Sequence, residues 1–230
     1  SIWSFFVDMP VKKEAKPGPS EASSSPNPAP KTKDFWIYFS FPLVLLYLLN
    51  WLQSFSFNGA VTFLPTYMAQ YTSFQILSWD SVAVGGMLSG LALFTGVFGQ
   101  YVGGVLGEKH KLERNLLIMT ITAFPFILSM AFVKDVFLLI MALIFFFFIV
   151  SVQPMMNVLL ARRTTLDMRG TAFGIYFFAA FGVGSLAASF SGYIAQNFGL
   201  PWVFLGLSGI VLVLIFLSFV FLRLKRSSNS

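Results

Sequence analysis

The chain has 230 residues, of which 57% are hydrophobic and only 10% charged, a composition that leaves too little polar surface for a water-soluble domain. It has no cysteine, which excludes a disulfide framework, a thiol nucleophile and a thiolate metal site. The formal net charge of +6 does not mark a nucleic-acid surface, because the basic residues cluster beside the ends of apolar runs, where membrane topology and anionic lipid account for them.

In chain order, residues 1–9 carry Ile2-Trp-Ser-Phe-Phe-Val7 and read as the end of an apolar helix that precedes this sequence. Residues 10–34 interleave Pro10, Pro17, Pro19, Pro26, Pro28 and Pro30 with serines and lysines. Proline donates no backbone hydrogen bond, and too few apolar groups are present to offset ordering entropy, so this segment is expected to be a disordered cytoplasmic linker. Six apolar stretches follow, at about 35–68, 81–107, 115–133, 136–160, 170–195 and 201–222, and a short tail occupies 223–230. Each stretch reaches the roughly 20 helical residues that cross the hydrocarbon core of a bilayer. Phe145-Phe-Phe-Phe148 inside a long apolar run is not the alternating pattern of a transmembrane strand. The expected fold class is therefore all-α, a polytopic membrane bundle of six helices over 35–222.

Charge then sets the orientation. When the gaps between stretches are assigned alternately to two sides, fourteen of the fifteen Lys and Arg residues fall on one side and only Lys134 on the other. Cytoplasmic loops retain Lys and Arg, so both ends of the chain are expected in the cytoplasm of an integral, plasma-membrane protein. His110, the sole histidine, lies in a basic cytoplasmic loop and reads as solvated.

The stretches differ in kind. The first carries Asn50, Ser54 and Asn58 at four-residue spacing with Gln53 beside them, which makes one polar face. The second is rich in glycine, with Gly99, Gly103 and Gly107 spaced for close helix approach, and the third is large and apolar. The fourth again carries polar groups, Gln153, Pro154 and Asn157; the fifth is again rich in small residues; the sixth is again apolar, and both apolar helices are expected to face lipid. This is a three-plus-three repeat in residue character. Since three is odd, the second triplet must be inverted, and inverted triplets with interrupted helices point to secondary transporters. Asp80, at the start of the second stretch, reads as a helix cap.

Three segments carry a family resemblance. The loop Gly103-Gly-Val-Leu-Gly-Glu-Lys-His-Lys-Leu-Glu-Arg114 resembles the cytoplasmic loop motif of the major facilitator superfamily, with Gly104, Glu108 and Lys109 in the glycine, acidic and first basic positions. The family usually has Asp, a second Gly and an Arg pair there, so this copy is degenerate. Arg169-Gly-Thr-Ala-Phe-Gly-Ile-Tyr176, continuing to Gly192-Tyr-Ile-Ala-Gln-Asn-Phe-Gly-Leu-Pro-Trp-Val-Phe204, is similar to the family's eleventh helix and its turn into the twelfth. Thr62-Phe-Leu-Pro-Thr-Tyr67 is similar to its seventh helix.

The resemblance implies the C-terminal half of such a transporter, helices seven to twelve, working against a missing N-terminal half, with the 10–34 linker as the loop between halves. It implies that the first and fourth helices line a central substrate cavity, which offers Asn50, Gln53, Asn58, Gln153 and Asn157, with Tyr176 as a further candidate. It also implies a cytoplasmic gate at Gly104, Glu108 and Lys109, with Arg162, Arg163 and Arg169 as partners by topology. The competing reading for each amide is interhelical hydrogen bonding, and for Glu108 a solvated loop charge. No Asp, Glu, Lys, Arg or His falls in the middle of any stretch, so a proton carrier or a counter-ion for a strongly anionic substrate would have to lie outside this chain. The implied activity is movement of a small organic solute by alternating access, with ion-gradient coupling and efflux favoured; no enzyme activity and no cofactor are implied. The alternative is a non-transporting membrane scaffold or assembly partner, which would explain the glycine packing but not the amide faces.

Overall fold

The computed structural model describes residues 40–73, 80–109 and 111–228. The expected helix end at 1–9 and the linker at 10–34 lie outside them. Among the described residues seven helices follow one another: α1 (Phe41–Tyr71), α2 (Ser81–Gly107), α3 (Leu112–Met130), α4 (Asp135–Arg163), α5 (Leu166–Gly184), α6 (Leu186–Phe198) and α7 (Leu200–Ser228). Among the described residues the architecture is all-α, and it is an integral membrane bundle. Among the described residues five spans are long and apolar enough to cross a bilayer, with α5 and α6 together forming one of them. The sixth crossing, α1, is 31 residues long but is not among those five, because Asn50, Gln53, Asn58 and its serines lower its hydropathy.

The single helix expected over 170–195 is divided at Ser185, just after Gly182 and Gly184, into α5 and α6. The last helix runs to Ser228, past the expected end at 222. Asp80 caps α2 as expected, its Oδ1 accepting from the Ala83 N–H at 2.9 Å. Gly199 ends α6 at φ +97°, a conformation that glycine adopts without a Cβ penalty, and Pro201 opens the first turn of α7.

The bundle is organised about α1, which touches α2, α4, α5, α6 and α7, and about a seam between α2 and α4. Along that seam Thr95, Gly99, Gly103 and Gly107 recur every four residues on α2, opposite Leu143, Phe147, Ser151 and Met155 on α4. The Thr95 Oγ1 donates to the Leu143 carbonyl at 2.8 Å. At Gly99 and Gly103 the backbone carbonyls of Phe147 and Ser151 occupy the space a Cβ would need. Two rows with the same four-residue period can lie together over several turns, and small residues on one row let the backbones meet.

The two apolar helices, expected to face lipid, instead pack on each other as well as exposing one face each. Ala123, Ile127 and Met130 on α3, with Val211 and Leu214 on α7, are fully buried, whereas Ile118, Ile121, Leu212 and Phe216 are exposed. Apolarity alone does not tell a lipid-facing side from a packed one, because hydrocarbon and a neighbouring leucine are equally apolar. Within the core, Tyr67 donates from its hydroxyl to the Met130 carbonyl at 2.7 Å. The Ser73 N–H donates to Asp135 Oδ1 at 2.7 Å and the Ser73 hydroxyl donates to the same oxygen, which ties the end of α1 to the start of α4.

Candidate cavity between four helices

Polar side chains in an apolar bundle must find partners, and their donors and acceptors define the site. Asn50 is fully buried, and its Nδ2 donates across to the Tyr176 carbonyl of α5 at 3.0 Å. Gln153 of α4 reaches the Asn50 Oδ1 and the Tyr176 hydroxyl with its Nε2, each at 3.5 Å. Gln53 is 3% exposed and donates from Nε2 to the Ile149 carbonyl of α4 at 3.3 Å. Asn58 donates from Nδ2 to the Ser54 carbonyl on its own helix at 2.8 Å. Asn50 and Gln53 thus tie α1 to α5 and α4.

Beside them lies a cavity of about 280 Å³, near the lower end of the roughly 300–1,000 Å³ usual for small-molecule sites. Its polar wall is Gln53, Ser54, Asn58, Gln100 and Gln153, and its apolar wall includes Phe57, Val150, Phe177 and Phe181. The four helices α1, α2, α4 and α5 all contribute. Gln53 lies about 18 Å along α1 from Phe41, and Gln153 about 15 Å along α4 from Arg163, at the helical rise of 1.5 Å per residue. These ends share one face of the bundle, so the cavity sits well inside the membrane-spanning region. Phe181 and Gln100 are exposed, which leaves the cavity open on the α2–α5 side.

Of the residues the sequence singled out, Gln53, Asn58 and Gln153 line this cavity. Asn50 and Tyr176 stand behind its wall, fully buried in the α1–α5 contact. Asn157 is one turn beyond Gln153 and outside the lining, with a buried Oδ1 that has no hydrogen-bond partner. Gln100 was not anticipated. It is the one amide in a helix read for its glycines, and that isolation was the available signal.

The proposed cytoplasmic gate has a different geometry from the carboxylate pairing expected. Arg162 donates from Nη2 to the carbonyls of Gly107 at 3.1 Å and Glu108 at 3.2 Å, at the C-terminal end of α2. A guanidinium there meets the orphan carbonyls and the negative end of the helix dipole. The Glu108 side chain is exposed and no ion pair reaches it among the described residues; Lys109 is exposed as well, and Gly104 faces open space. Arg163 stacks over the Phe221 ring of α7 at 4.7 Å, and Arg169 donates to the Ala161 carbonyl at 3.0 Å. All three arginines thus join helix ends on one face of the bundle. No cluster of three or more metal-ligating side chains occurs among the described residues.

A family model described as the Major Facilitator Superfamily matches residues 1–189 and also residues 46–230. In fold the chain is similar to crystal structures of the peptide transporter POT. A single-site mutant with sulfate gives a TM-score of 0.63 at 15% identity, covering 77% of this chain and 37% of that one. The unmutated transporter with sulfate gives 0.62 at 14% identity, covering 78% and 37%. A mutant with alafosfalin gives 0.60 at 18% identity, covering 81% and 38%. At these identities the likeness is one of fold, and the chain spans well under half the length of each transporter. No curated protein matches the chain in sequence.

Proposed function

Because this chain belongs to the major facilitator superfamily, we propose that it forms the C-terminal six-helix half of a secondary transporter that moves a small organic solute by alternating access. The observation that carries this reading is an amide-lined cavity, deep between helices, to which four helices contribute. In this reading an N-terminal six-helix half covers the open α2–α5 side of the cavity, and rocking of one half against the other exposes the site to each side in turn. Gly86, Gly90, Gly170, Gly174 and Gly182, each with open space where a Cβ would be, supply a smooth face on α2 and α5 for that sliding contact.

None of the cavity-lining residues is ionisable. A proton-coupled cycle would therefore take its proton carrier from the other half. The aromatic wall of Phe57, Phe177 and Phe181 favours an amphipathic solute, and with it efflux over uptake of a polar metabolite. Gln53, Asn58 and Gln153 are assigned to the substrate site, whereas Asn50 and Tyr176 are assigned to holding α1, α4 and α5 in register around it. The arginines at 162, 163 and 169, with the Glu108 loop, are assigned to the cytoplasmic closure.

The test is solute flux in proteoliposomes carrying the full-length native polypeptide. Gln53→Ala is expected to raise KM for the transported solute, and an unchanged KM removes Gln53 from the site. A native polypeptide of only about this chain's 25.6 kDa that carries no flux as a monomer or a homodimer would move the scaffold reading ahead.

A further inference from the structure

Three of the four amides that line the cavity, and Asn50 behind them, have a fixed direction. An amide's oxygen and nitrogen are told apart by what each faces, and here every choice is forced by a neighbour that can only accept. The Gln53 Nε2 faces the Ile149 carbonyl, and the Asn58 Nδ2 faces the Ser54 carbonyl. The Asn50 Nδ2 faces the Tyr176 carbonyl, so Asn50 presents its Oδ1 on the other side, and the Gln153 Nε2 faces that oxygen. Reversing any of these would set two carbonyl oxygens against each other. Gln53, Asn58 and Gln153, three of the four lining amides, therefore each commit at least one N–H to the protein, which fixes the direction of the amide.

The Gln53 Oε1 is buried and has no hydrogen-bond partner, on a side chain that is 3% exposed and lines the cavity. Val150 also lines the cavity, and Pro154, four residues on, has no N–H to give the Val150 carbonyl. Lining groups that can still donate are the Ser54 hydroxyl, the Gln100 amide and the second N–H of Gln53 and of Asn58. The lining residues also carry acceptors, the Oε1 of Gln53 and of Gln153, the Oδ1 of Asn58 and the Val150 carbonyl, and of the three side-chain oxygens the Gln53 Oε1 is the one buried without a partner. The aromatic faces of Phe57, Phe177 and Phe181 add negative quadrupole potential on the apolar side.

From the unpaired Gln53 oxygen we infer that the cavity prefers a ligand that brings it a hydrogen-bond donor: it takes a small molecule with an apolar or aromatic body and an amine, amide N–H or hydroxyl head in preference to one whose only polar group accepts. The inference rests on the transporter reading for the cavity's purpose but is tested separately from it. A ligand that lacks a donor leaves the Gln53 oxygen unpaired, and it should bind about tenfold or more weakly than one that makes the bond.

The experiment uses the full-length protein in lipid nanodiscs and four probes of one shape: 2-phenylethylamine, 2-phenylethanol, methyl 2-phenylethyl ether and phenylacetate. Affinities come from the dependence of the melting temperature on probe concentration. The amine and the alcohol should bind at least about tenfold more tightly than the ether, and phenylacetate should bind most weakly. Gln53→Leu should bring the amine-to-ether ratio close to one. Should that variant fail to fold, Asn58→Ala, whose lost bond lies within its own helix, should reduce the same ratio. A flat ranking, a ranking led by the ether or phenylacetate, or no binding of the amine overturns the inference. Flux of the same probes in proteoliposomes reports on the other question: donor-selective binding without flux refutes the transporter reading and leaves the inference standing.

Discussion

Replacing Gly99 or Gly103 by alanine tests the α2–α4 seam most directly. The added Cβ at Gly103 would lie 2.8 Å from the carbonyl carbon of Ser151 and closer still to its oxygen; at Gly99 it would lie 3.0 Å from the carbonyl carbon of Phe147. These are main-chain atoms of a neighbouring helix, so no rotamer change relieves the contact, and α2 must retreat from α4 by more than about half an ångström over several turns. Overpacking of this kind costs about 1–3 kcal/mol, and a backbone obstacle places it at the upper end. That corresponds to a fall of about 5–10 °C in melting temperature for a chain of this size. Gly104 is the internal control: it is the next residue on the same helix, with nothing within 4 Å of its added Cβ. Gly104→Ala should be neutral or stabilising by up to about 1 kcal/mol through helix propensity. Thermal unfolding of the purified protein in detergent, followed by tryptophan fluorescence, compares the three. If Gly99→Ala and Gly103→Ala melt with Gly104→Ala, the seam is not a close backbone contact and the argument fails.

The remaining predictions concern single polar contacts. Asn50→Leu removes the bond to the Tyr176 carbonyl and the acceptor that orients Gln153; it should lower stability by about 1 kcal/mol, the scale of interhelical bonds in membranes, and weaken solute binding beyond that. Tyr67→Phe removes the bond to the Met130 carbonyl and should cost about 0.5–1.5 kcal/mol in the same melting assay. Glu108→Gln should leave stability within about 0.5 kcal/mol, because the carboxylate is exposed and has no ion pair among the described residues, whereas Arg162→Ala should destabilise by about 1 kcal/mol through loss of the carbonyls it caps.

The fold was legible to the extent that it followed from period and charge. Ser81–Gly107 was read from the sequence at both ends, because Asp80 caps one and a charged loop follows the other. The Gly99–Gly103–Gly107 spacing announced a close contact, but not its partner. Nothing in the run Phe145-Phe-Phe-Phe148 shows that the Phe147 carbonyl, and not a phenyl ring, fills the groove. The break at Ser185 was missed because Gly182 and Gly184 resemble the small residues that elsewhere serve packing. Gln100 was missed for a related reason: a lone amide has no period.

The amides of α1 show why packing and lining were hard to separate beforehand. Interhelical bonding and cavity lining had been competing readings of the same residues, yet Gln53 and Gln153 do both. Each gives an N–H to the protein while its side chain lines the cavity. An amide is suited to this because its two ends are chemically opposite, so fixing one end by a carbonyl orients the other. A serine, with one rotating hydroxyl, holds no such direction. Asn50 and Tyr176 are the step behind: buried and unable to touch a ligand, they settle which way Gln153 faces. Specificity at such a site would therefore respond to Asn50 as strongly as to the residues on the wall. Asn50→Asp sharpens the point, because a carboxylate keeps the acceptor for Gln153 but cannot donate to the Tyr176 carbonyl. If Gln153 orientation governs ligand choice, this variant should lose stability while keeping the preference for donor-bearing probes. Loss of both together would mean that the α1–α5 contact, and not the amide direction, sets the preference.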